Sequence, residues 1–191
     1  MSTQDDDYRE LRAVAPARRR DWLRGRAPTD LRGHWWLALI ERAQFDAGPD
    51  RGLPPAQWKA NVAFAVDLIE AAGEDGMPPY YAASRLALLT SAILKSGAGF
   101  DGLPGTLVPG DLARRILASF RLSKADALAA AARLRETADG DEPGDAESDA
   151  LRDIAWSLPD LEMLRAHIGD ASLRRTIEEW LDISDGLSVV P

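Results

Sequence analysis

The stretch Pro78 to Ser96, PPYYAASRLALLTSAILKS, most constrains what this chain can become. On a helical wheel Ser84, Leu88, Ser91 and Lys95 fall close together, and the rest of the circumference is Tyr, Leu, Ile and Ala. A helix apolar over so much of its girth needs neighbours on several sides. The expected fold class is therefore all-α, with this helix at the centre of a compact multi-helix bundle. Only nine residues separate Arg85 from Lys95, far short of the roughly 18 that a membrane span requires.

The same periodicity places the neighbours. Trp36, Leu39, Ile40 and Ala43 recur at i, i+3, i+4 and i+7 in a helix expected over 30–46. Trp58, Val62, Ala65, Val66 and Ile69 form one face of another over 56–72, and its short connection predicts antiparallel packing on the 79–96 helix. Earlier, Pro16 interrupts a helical pattern running from Tyr8 to Ala15, and a short segment carrying Trp22 and Leu23 follows, giving two short helices or one kinked one. Later, Leu112, Ile116 and Phe120 mark a short helix, and Ser123 with Asp126 resembles a capping box for a helix over 124–137. Three short helices are expected after residue 150, the second starting at Pro159 and the third capped by Asp170. The count is about eight or nine helices, arranged as stacked α-hairpins resembling helical repeats or as an irregular orthogonal bundle.

Three connections share a shape: Asp50-Arg51-Gly52-Leu53-Pro54-Pro55, Asp75-Gly76-Met77-Pro78-Pro79 and Asp101-Gly102-Leu103-Pro104-Gly105. In each, Gly turns the chain, an apolar residue can pin the entry to the next helix, and Pro fits its first turn. The third lies within 97–110, GAGFDGLPGTLVPG, a connection long enough to suggest a lid or a partner anchor. The expected domains are a frayed N-terminus at 1–7, a helical core at 8–136, an acidic linker at 137–149 and a helical subdomain at 150–191 packed on the core. The linker, TADGDEPGDAESD, has nothing to bury.

Charge is unevenly placed. Of the net −8, residues 1–45 carry +2, residues 46–135 carry +1 and residues 136–191 carry −11. The acidic end would repel nucleic acid and attract a basic partner. There are no cysteines, which excludes disulfides, thiolate zinc sites and cysteine nucleophiles. The start, MSTQDDDYRE, lacks the basic residues and apolar run of a signal peptide. A soluble cytoplasmic protein is expected, with no membrane segment.

No catalytic signature is present: no G-x-S-x-G elbow, P-loop, H-E-x-x-H or EF-hand loop. Gly97, Gly99 and Gly102 match G-x-G-x-x-G but follow a helix rather than a strand. Asp6-Asp7-Tyr8-Arg9-Glu10 resembles a metal-diphosphate aspartate motif but lacks a second carboxylate set. The leading expectation is a non-catalytic protein–protein interaction protein of inhibitor, immunity or adaptor type. It would bind a basic protein partner through Phe100, Asp101, Leu103, Asp139, Asp141, Glu142 and Asp145, with no catalytic residues, metal or cofactor. Two alternatives stand beside it. One is a nucleic-acid-associated regulator using Arg18, Arg19, Arg20, Arg24 and Arg26, which lie near Trp22. The other is a helical enzyme or small-molecule binder with a pocket between the central helix, His34 to Trp36 and the 97–110 loop.

Overall fold

The structure, a computed structural model, describes residues 4–137 and 146–187. Among them are ten α-helices, nine of seven residues or more, and no strand, so the chain is an all-α multi-helix protein. They fall into two compact units, Met1–Val108 and Pro109–Pro191.

The first unit holds α1 (Gln4–Ala13), α2 (Pro16–Arg26), α3 (Arg32–Asp46), α4 (Pro55–Glu74) and α5 (Pro79–Ser96). The central helix is α4 rather than the expected α5, because α4 packs against α2, α3 and α5. It buries Val62, Phe64, Ala65, Val66, Leu68, Ile69 and Ala72. The face of α5 that carries Leu88 is open, with Leu88 itself 52% exposed. Each fully buried Leu or Ile contributes about 1.5–3 kcal/mol, so this shared seam supplies most of the unit's apolar stabilisation. Pro16, Pro55 and Pro79 stand at the starts of their helices, where the missing N–H leaves no bond unmade. The glycines of the three similar connections, Gly52, Gly76 and Gly102, are all left-handed, with φ of 63°, 103° and 71°. Any side chain there would be strained, which explains why the motif repeats its glycine.

Of the expected N-terminal stretch 1–7, residues 4–7 belong to helix α1 and residues 1–3 lie outside the described residues. Asp5, Asp6 and Asp7 occupy the first turn of α1, where carboxylates complement the helix dipole. Asp7 is buried and pairs with Arg26 at 3.3 Å. Polar contacts then fasten α1 to its neighbours. The Tyr8 hydroxyl donates to Asp46 Oδ2 at 3.0 Å, and Arg12 Nη2 donates to Asn61 Oδ1 at 2.7 Å. Helix α2 is held similarly: Arg19, 6% exposed, donates to Asp67 at 2.6 Å and to the Val14 carbonyl at 3.2 Å.

The second unit holds α6 (Pro109–Ser119), α7 (Lys124–Thr137), α8 (Ala146–Arg165), α9 (Ala171–Leu181) and α10 (Ser184–Leu187). All four others pack on α8, whose inner face is Leu151, Ile154, Leu158, Leu161 and Leu164. Ala127, Ala130 and Ala131 of α7 are fully buried, and their small side chains permit a close helix approach. Asp170 caps α9 by accepting from the Ser172 and Leu173 N–H groups at 2.9 and 3.0 Å.

Two expectations are corrected here. Pro159 does not start a helix, because α8 runs through it. A proline inside a helix costs about 3 kcal/mol, but Leu158, Leu161 and Leu164 continue the buried face on either side, and Pro159 itself is exposed. The boundary also lies earlier than expected, at Val108 rather than after residue 136, because α6 and α7 pack with the C-terminal helices. Of the expected linker, residues 138–145 lie outside the described residues, while Ala146 to Asp149 open α8. No helix among the described residues is long and apolar enough to cross a membrane.

Asp75 shows how the first unit depends on polar pairing. Its side chain is 1% exposed and accepts from Trp36 Nε1 at 2.9 Å and from Arg24, with Arg32 at 3.9 Å. Burial pushes the carboxyl upward, but the hydrogen bonds from Trp36 and Arg24 and the charges of Arg24 and Arg32 hold it below its ordinary value. A depressed carboxylate contributes stability above its unfolded pKa, and that contribution is lost as pH falls through the folded one. Asp75→Asn should therefore lower stability by about 1–3 kcal/mol at neutral pH, with the difference shrinking toward acid. Paired denaturant melts across pH check this.

Candidate functional site

Of the expected partner-binding residues, the structure describes Phe100, Asp101 and Leu103. Phe100 and Leu103 are half-buried and Asp101 is exposed. Their loop is packed down: Gly97 ends α5 in the left-handed conformation and Leu107 is fully buried. A Cβ added at Gly102 would lie 2.9 Å from Lys59 Nζ on α4. Asp139, Asp141, Glu142 and Asp145 lie outside the described residues. The pocket reading rests on His34 to Trp36 and the 97–110 loop. His34 is exposed, and Trp36 is buried with its N–H committed to Asp75. A cleft of about 310 Å³ beside Trp36 is walled by Met77, Pro78 and Tyr81 rather than by the 97–110 loop.

Four of the five arginines named in the nucleic-acid alternative are paired to carboxylates. Arg19 pairs with Asp67, Arg20 with Asp21 and Glu74, Arg24 with Asp75, and Arg26 with Asp7 and Glu10. Arg18 is exposed. Trp22 donates to Glu10 at 3.2 Å and lies 4.9 Å under Arg26, so it too belongs to the packing of α1 on α2.

The second unit presents a different surface. Residues 109–191 hold 10 basic and 17 acidic side chains, a net −7, against 13 and 14 in residues 1–108. Several of its carboxylates are paired: Asp149 with Arg152 at 3.1 Å, Glu162 with Arg165 at 2.7 Å and Glu179 with Lys124 at 2.9 Å. Asp160, Glu178 and Asp182 have no ion-pair partner among the described residues.

The outer face of α8 carries the features of a contact site. Trp156 is 58% exposed, and Arg152 and Asp160 lie one turn to either side of it. Asp160 is half-buried, and burial pushes its carboxyl up to about 6. Asp153, on the inner side of the same turn, is also raised by burial, against the opposing charge of Arg121 at 3.6 Å. A desolvated carboxylate without a cation beside an exposed indole is a half-made interaction. The helical spacing of α8 gave a signal for it: Trp156 is a large aromatic standing outside the Leu151, Ile154 and Leu158 stripe. Among the described residues no three of His, Asp or Glu converge to hold a metal ion.

Comparison with known proteins adds no family. No family model, curated protein or solved structure matches this chain.

Asp160 makes a checkable demand on stability. With its folded pKa raised to about 6, the ionised group disfavours folding, and the penalty grows as pH rises from the unfolded carboxylate value through the folded one. Asp160→Asn should raise the melting temperature at pH 8 and leave it nearly unchanged at pH 4. An unchanged melting temperature at both would show that Asp160 is already well solvated.

Proposed function

We propose that this protein is a non-catalytic interaction protein of inhibitor, immunity or adaptor type, working in the cytoplasm, whose second unit docks a basic protein partner around Trp156 on α8. One observation carries the reading: an exposed tryptophan stands one helical turn from a half-buried carboxylate that has no ion-pair partner among the described residues, in a unit of net −7. A lysine or arginine of the partner would complete both, lying against the indole face as a cation–π contact and pairing with Asp160. Tryptophan at such a position is the residue type that concentrates binding energy. The remaining acidic side chains, including Asp139, Asp141, Glu142 and Asp145 in this reading, steer the encounter and make it salt-dependent. The nucleic-acid alternative has less support, because four of its five arginines are paired with neighbouring carboxylates and the acidic unit repels phosphates.

The test is capture from a lysate of the source cell by wild type, Trp156→Ala and Asp160→Asn, each at low and high salt. A basic protein should be retained by wild type at low salt, released at high salt and lost with either variant. Trp156→Ala should weaken binding by about 2 kcal/mol or more. Retention that is equal for all three proteins, or independent of salt, would overturn the proposal.

A further inference from the structure

The first unit contains a cleft of about 470 Å³ that the interaction reading does not use. It opens between α1, α3, α4 and the connection before α4, and four arginines line it: Arg9, Arg12, Arg42 and Arg51. Asp5 and Asp46 are the carboxylates in its wall. The lining therefore carries four positive and two negative charges, a local +2 in a unit whose total is −1. Arg9 also pairs with Asp6 at 3.4 Å, and counting that carboxylate still leaves an excess of cation.

Asp46 is the focus. Arg51 reaches its Oδ1 at 3.2 Å, Arg42 stands 3.8 Å from Oδ1 and Arg12 stands 3.8 Å from Oδ2. Two carboxylate oxygens cannot satisfy three guanidiniums, each of which has five N–H donors. Arg12 spends part of its capacity on Asn61 at 2.7 Å and on the Tyr8 hydroxyl at 3.3 Å. Arg42 and Arg51 have side chains 51% and 42% exposed, and Asp46 is their carboxylate partner among the described residues. Aromatic rings hold both in place. Arg51 lies 4.4 Å over Phe45, and Arg42 lies 5.7 Å over Tyr8 and 6.0 Å over Phe45. Burial, with Asp46 beside it, pushes the Tyr8 hydroxyl up to about 12, against the lowering contribution of Arg12. It stays a neutral O–H at physiological pH.

We infer that this cleft binds a small multivalent oxyanion, a molecule of metabolite size bearing phosphate or paired carboxylates, held by Arg42 and Arg51 with Arg12 behind them. Guanidinium forks match both head groups bidentately. Small-molecule sites commonly enclose about 300–1,000 Å³, a range that includes this cleft. A polyanion chain fits less well: Asp5 and Asp46 interrupt the lining, and four of the five arginines of α2 are already paired, so no continuous basic track among the described residues extends the cleft.

Calorimetric titration of the full chain with pyrophosphate, inorganic phosphate and citrate in a low-chloride buffer tests this. Saturable one-to-one binding should appear for at least one of the three. Arg42→Gln and Arg51→Gln should each weaken it about tenfold, the loss of one charge-assisted fork, with melting temperatures close to wild type because both side chains are exposed and their ion pairs with Asp46 lie at the surface. Arg18→Gln, an exposed arginine outside the cleft, should leave affinity unchanged. Preference for pyrophosphate or for citrate identifies the head group, and either supports the inference. Two results would overturn it: no saturable heat with any of the three anions, or equal weakening by Arg18→Gln.

Discussion

Pairing of arginine with aspartate between helices is what the first unit depends on. Helices α1 and α2 offer little apolar surface of their own; α2 buries Leu23 and the Arg19 side chain. Their attachment comes from Tyr8 and Arg12 to Asp46 and Asn61, from Arg19 to Asp67, and from Arg24 to Asp75. In every case the acceptor lies on or just after α3 or α4, helices that belong to the unit's apolar layer. Hydrophobic burial builds the α3, α4 and α5 layer, and charge-assisted hydrogen bonds then fix the first two helices to it. Removing one member of a buried pair leaves the other unsatisfied, so these contacts are costly to break even where their net contribution is modest.

How much of this was legible follows from the range of each interaction. Apolar periodicity located α3, α4 and α5 to within a few residues, while Pro16 marked an interruption that the structure resolves into two helices, α1 and α2, rather than one kinked helix. The arginines of α2 could not be read, because Asp67 lies 48 residues from Arg19 and Asp75 lies 51 from Arg24; local spacing is silent on such pairs. Pro159 misled because its local preference was overridden by a buried face continuing on both sides of it. The unit boundary was missed for a related reason. Charge and glycine content pointed to 137–149, whereas the division depends on which helices α6 and α7 touch.

The candidate sites were less legible than the fold. Trp156 could be picked out as an aromatic out of phase with its stripe, but its exposure and the desolvation of Asp160 required the packed α8. Arg42 and Arg51 gave no signal beyond their charge, since the cleft is assembled from four segments. One trace was present in the repeated connections. The first contributes Arg51 and Leu53 to the arginine cleft, and the second contributes Asp75, Gly76, Met77 and Pro78 to the cleft beside Trp36. Left-handed glycines bring the chain sharply back before each new helix, leaving concave surface at these turns.

The dependence on guanidinium geometry also sets the chain's chemical character. Arg19 bonds Asp67, bonds the Val14 carbonyl and stacks over Phe64 at 4.6 Å, a combination that a lysine ammonium cannot reproduce. Of the 23 basic side chains only Lys59, Lys95 and Lys124 are lysines. Lys124 is bonded to Glu179, and Lys59 lies against the turn at Gly102. Lys95 is exposed. Amine-directed chemistry, whether acylation by a cellular enzyme or a laboratory crosslinker, therefore meets few side-chain targets here, with Lys95 the most open of the three lysines.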